Sequence, residues 1–117
     1  MLEDKAVDLG RLIGQTDEYK AVMRANDALK EDAEALALLQ RMEQIRREAQ
    51  EMLSRGEEPT EAMETELDGL LGKIQVMPTY QRVAVTQENL DKLMRRVNDL
   101  IGEGIAKGAK SSIITLG

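Results

Sequence analysis

Three apolar stripes with heptad spacing follow one another between Asp32 and Ile105, and they restrict this chain to helices packed on helices. In the first, Leu38, Met42, Ile45, Ala49 and Met52 recur at alternating steps of four and three. The second repeats the pattern with Met63, Leu67, Leu70, Ile74 and Met77. The third uses Leu90, Leu93, Val97, Leu100 and Gly104, widened by Met94, Ile101 and Ile105. Such spacing keeps one apolar seam on one side of a helix. Two interruptions divide the stripes, Arg55-Gly56-Glu57-Glu58-Pro59-Thr60 and Val76-Met77-Pro78-Thr79. The pattern predicts an all-α fold: a long antiparallel helical hairpin and a long C-terminal helix, preceded by two short N-terminal helices.

The boundaries carry their own chemistry. Gly14 follows the apolar positions Ala6, Leu9, Leu12 and Ile13 of a short helix over 3–13, where a helix C-terminus favours glycine. Thr16 or Asp17 can cap the second helix, which carries Tyr19, Val22, Met23 and Leu29. Asp32 caps a third that runs to about Arg55. Gly56 suits the position just past that helix, and Thr60 caps the next, with Glu61 and Glu64 near the positive end of its dipole. The connection is short, so the two helices must run antiparallel. Pro78 cannot continue a helix but fits the first turn of one, so the last is expected from Pro78 to about Lys107. Glu43 with Arg47, Glu51 with Arg55, Glu88 with Lys92, Asp91 with Arg95, and Glu103 with Lys107 are acid-before-base pairs four apart, the favoured orientation on a helix surface. Gly69 and Gly72 each cost up to about 1 kcal/mol against alanine in a helix interior, which indicates either a frayed helix or the close approach of another backbone. Residues 1–110 read as a single helical domain, and the β-branched 111–117 as a flexible or partner-docked tail.

Composition removes most chemistry. The 117 residues include no His and no Cys, so imidazole bases, thiolate nucleophiles and the usual His or Cys metal ligands are absent. No serine sits in a nucleophile elbow, and Gly102, Gly104 and Gly108 lack the spacing and the preceding strand of a phosphate-binding loop. No catalytic, cofactor-binding or metal-binding residue is assigned, and enzymatic activity is not expected. The net charge is −6, and the acid gathers on the second hairpin arm, where Glu57, Glu58, Glu61, Glu64, Glu66 and Asp68 face Lys73 alone. That arm would repel a nucleic-acid backbone. Arg82, Lys92, Arg95, Arg96, Lys107 and Lys110 lie on the last helix, but the only aromatic residues are Tyr19 and Tyr80, which leaves little for stacking bases. No run approaches the roughly 18 apolar residues of a membrane span, and the N-terminus lacks the basic-then-apolar order of a signal peptide. A cytoplasmic location is the expectation.

The order of elements resembles the YlbF/YmcA family of small bacterial helical proteins, and within it the YheA-type members. The likeness rests on the short first helix, the Thr16-Asp17-Glu18-Tyr19 restart and the long helix from Asp32. It extends to the Arg55-Gly56-Glu57-Glu58-Pro59-Thr60 turn and to the closing helix with Asn89-Leu90-Asp91-Lys92-Leu93-Met94 and Leu100-Ile101-Gly102-Glu103. The resemblance implies a cytoplasmic protein that self-associates and regulates by binding other proteins, in relatives by modulating an RNA-degrading endonuclease and so competence, sporulation and biofilm formation. Those relatives hold an iron–sulfur cluster on C-terminal cysteines; without Cys, neither the cluster nor membership of that complex carries over.

The expected activity is that of a non-enzymatic regulator or adaptor. A hairpin holdase is the alternative, shielding apolar segments with Met42, Met52 and Met63, and an RNA-binding helical protein is a further one. The long helices outreach the two short ones. A seam of Met42, Ile45, Ala49 and Met52 with Met63, Leu67 and Leu70 is therefore expected to meet a second copy in a homodimer or larger even assembly, leaving another face for an unidentified protein partner. The arms could instead cover each other, because seam phase is the same in both cases.

Overall fold

In the computed structural model the chain forms α1 (Leu2–Gly14), α2 (Asp17–Lys30), α3 (Ala33–Ser54), α4 (Glu61–Gln75) and α5 (Pro78–Leu116). Side chains are described for residues 1–110, and the expectation for the 111–117 tail lies outside these described residues. Among the described residues there is no strand, so the fold is all-α.

The starts of α2, α3 and α4 are each fixed by one side-chain oxygen. Thr16 Oγ1 accepts the Tyr19 N–H at 3.2 Å and donates to the Ile13 carbonyl at 2.7 Å, so this side chain ends α1 and opens α2. Asp32 Oδ1 accepts the Ala35 N–H at 3.1 Å, and Thr60 Oγ1 accepts the Met63 N–H at 3.2 Å. These bonds satisfy backbone donors that a helix cannot satisfy internally. The hairpin turn closes on Gly56, whose φ of 77° is the single positive value among the described residues. There the Glu57 N–H donates to the Met52 carbonyl at 2.8 Å and the Gly56 N–H to the Leu53 carbonyl at 3.0 Å, the paired closure of a Schellman cap. Pro78 opens α5, where its missing N–H costs nothing. That helix exceeds the expected end at Lys107, because Gly102, Gly104 and Gly108 weaken a helix but keep their N–H donors.

α3 packs on α4, and α2 packs along α5. Leu29 and Tyr80 join one apolar cluster, while Ala21 and Arg24 border a groove with Arg82 and Thr86. These pairings run in opposite chain directions, so α2 and α5 are antiparallel. The main cluster is Ala35, Met42 and Ile74, surrounded by half-buried Leu38, Leu39, Leu67, Leu70, Leu71 and Met77. Val22 and Ala25 are buried on α2. By contrast α1 buries no residue, and its Leu2, Val7 and Leu12 are exposed.

The shape is long, 67 × 37 × 21 Å, with a radius of gyration of 21.6 Å. A compact domain of this length would have a radius of about 13 Å. Two helix pairs laid along one another, rather than a bundle around one centre, account for the difference.

Candidate interaction surface

The hairpin seam is assembled by α3 and α4 themselves. Met42 is 3% exposed and Ile45 2%, while Ala49, Met52, Met63, Leu67 and Leu70 are half-buried. Of the seven residues expected to meet a second copy, Met42 lies in the buried cluster and Leu67 and Leu70 pack against it. Within the protomer Met42 shares one buried cluster with Ala35 and with Ile74 of α4, and Ile45 is buried beside it on α3. Ile74, which the expected set omitted, is the largest fully buried side chain, at 0% exposure.

Polar bridges lock the seam's register. Arg41 Nε donates to Glu66 Oε1 at 2.6 Å and Arg41 NH2 donates to Glu66 Oε2 at 2.9 Å, a two-pronged pair between α3 and α4. The hydrogen bonds from Arg41 hold the Glu66 carboxyl below its ordinary 4.5, with burial opposing and the guanidinium charge adding to the effect. In turn the hydrogen bond to Glu66, and then its charge, raise the Arg41 pKa. A second bridge joins the hairpin to α5: Thr79 Oγ1 donates to Asp32 Oδ2 at 2.7 Å. That bond, followed by the Ala35 N–H, holds Asp32 below its ordinary 3.8 against the opposing effect of burial. Neither bridge is visible in the sequence, since the partners are 25 and 47 residues apart.

Of the expected pairs four apart, Glu43–Arg47 forms at 3.4 Å and Glu88–Lys92 at 3.6 Å. Arg55 reaches Glu57 at 3.6 Å instead of Glu51, because the turn brings Glu57 back beside it. Asp91 accepts from Gln87 at 3.0 Å. Gly69 and Gly72 lie inside α4, and a Cβ at either would meet nothing within 4 Å. Within one protomer, neither fraying nor a close backbone explains them.

The grooves on this surface are shallow and open. One at the hairpin base is lined by Glu34, Leu38, Lys73, Val76, Met77 and Pro78. Among the described residues, no group of three or more Asp or Glu side chains is arranged to hold a metal ion. No described helix is long and apolar enough to cross a membrane. Beyond Val97, every residue of α5 through Lys110 is exposed, including the apolar Leu100, Ile101 and Ile105.

Comparison with known proteins places this architecture. Residues 2–106 match the family described as control of competence regulator ComK, YlbF/YmcA. A UPF0342 protein of Leuconostoc citreum is 23% identical over 103 residues, covering 88% of this chain and 87% of that one. Another from Streptococcus mutans is 28% identical, covering 84% and 87%. A third from Streptococcus agalactiae is 30% identical, covering 78% and 88%. With the match running from the first turn of α1 into the distal half of α5, the chain belongs to the YlbF/YmcA family.

Proposed function

We propose that this chain is a non-enzymatic regulatory adaptor that works by self-association and by contacts with another protein, with residues 1–110 acting as one helical unit. The observation that carries the reading is the amount of surface left open. The protomer exposes 8999 Å², whereas a compact monomer of 13.0 kDa exposes about 6,300 Å². The excess of about 2,700 Å² reaches or exceeds what each partner buries in an obligate dimer, about 1,000 to 2,500 Å². Membership of a family described as controlling a competence regulator supports a regulatory role. The exposed acids of α4, Glu61, Glu64 and Asp68, offer a face to a basic protein surface.

A holdase would need bare methionines at the hairpin tip, but Met52 and Met63 are half-buried and Met42 is buried, so no observation favours that reading. Affinity capture from native extract, with and without nuclease, tests the proposal. The expected result is a protein retained in fixed ratio to the bait and unaffected by nuclease. Retention that nuclease abolishes, or a general suppression of client aggregation with no fixed partner, would overturn it.

A further inference from the structure

The stripe that α2 half-covers on α5 does not stop where α2 stops. Leu90, Leu93, Met94 and Val97 are half-buried. The same side of the helix continues through Leu100, Ile101, Gly104 and Ile105, with exposures of 46% at Leu100, 44% at Ile101 and 67% at Ile105. Lengths explain the break. The 14 residues of α2 span about 21 Å, against about 58 Å for the 39 of α5. Apolar spacing maintained over several turns with nothing in the protomer to bury it marks an association surface.

Charge and glycine placement narrow the occupant. In the heptad that puts Val97 and Gly104 at one core position and Leu100 at the other, Arg96 and Glu103 both flank the core on the same side. Neither forms an ion pair among the described residues. In an antiparallel pair of identical helices, flanking positions of the same kind face one another. Arg96 of each copy then meets Glu103 of the other, and both pairs form at once about a twofold axis near Leu100. A parallel pairing would instead set Arg96 against Ile101 and Glu103 against Gly108 of the other copy, and leave both charges without a partner. Gly104 lies on the same stripe, and a Cβ there would meet nothing within 4 Å in the protomer. The open face thus has room for a closely approaching backbone.

Resting on the proposal that the chain self-associates, we infer that a second copy docks antiparallel on the distal half of α5, across Leu100, Ile101, Gly104 and Ile105, with Arg96 and Glu103 paired reciprocally. The register lays residues beyond Glu103 of one copy beside the Leu90–Met94 stretch of the other. Each copy thereby extends the cover that α2 begins.

Light scattering and sedimentation at micromolar concentration test it, with circular dichroism verifying that each variant keeps its helix content. Wild type should have twice the 13.0 kDa protomer mass. The double variant Ile101→Glu, Ile105→Glu should be monomeric, and because both side chains are exposed its helix content should not fall. Arg96→Glu should weaken the dimer at least about tenfold by placing like charges opposite. Adding Glu103→Arg to it should restore the affinity, which a merely structural effect of either substitution would not do. A dimeric wild type that survives the double isoleucine variant, or dissociates on Ala49→Glu or Met52→Glu instead, would overturn this interface and leave self-association standing. A monomeric wild type would overturn both.

Discussion

Arg41, Glu66, Asp32 and Thr79 are the residues whose exchange most directly reports the tertiary arrangement. Glu66 and Asp32 both have folded pKa values below their ordinary 4.5 and 3.8. A depressed carboxyl pKa lends stability that is present above the unfolded value and lost as pH falls through the folded one. The melting temperature should therefore hold steady from neutral pH to about pH 5 and drop below that. In Glu66→Gln and in Asp32→Asn the acid drop should be smaller than in wild type, and the Asn variant retains an N-cap oxygen for Ala35. Thermal melts across pH 2 to 7 check this; an acid profile identical in all three proteins would mean that neither bridge persists in solution. Thr16, Asp32, Gly56, Thr60 and Pro78 were legible in the sequence because capping acts within a few residues. The bridges were not legible, because 25 and 47 residues of chain separate partners whose meeting depends on how α4 and α5 fold back.

Among the elements, α4 carries the sharpest expectations. Ile74→Ala should cost about 2 to 5 kcal/mol, the range for emptying a fully covered aliphatic site, read from chemical denaturation. Leu67→Asp should cost more than about 2 kcal/mol, since an unpaired carboxylate would enter the seam. Gly69→Ala and Gly72→Ala should each stabilise by up to about 1 kcal/mol, because the helix continues through both positions and a Cβ meets nothing. Destabilisation instead would reveal another backbone against that face in the assembled protein. The seam was readable as a set of positions but not as a set of contacts. Met42 and Ile45 occupy the same heptad phase whether α4 or a second copy covers them, so spacing alone does not choose between the two. Likewise α5 could be read as apolar along its length, but where its cover ends depends on where α2 is laid.

At the scale of the molecule, association and folding should be linked. If a second copy covers the distal face of α5, the wild-type melting temperature rises with protein concentration, while that of Ile101→Glu, Ile105→Glu does not. Small-angle scattering should return a radius of gyration near 21.6 Å for that variant, since the elongated form belongs to the protomer itself. The length of α5 also sets a spacing. Its first turn is joined to the hairpin through Thr79 and Asp32, and Leu100 lies about 33 Å further along the axis. Two copies crossing there would hold their hairpins about 66 Å apart at opposite ends of a stiff rod. Such a particle is bivalent: a target that presents its binding site twice at that separation would be released only when both hairpins let go, and rebinding at one end would compete with escape at the other.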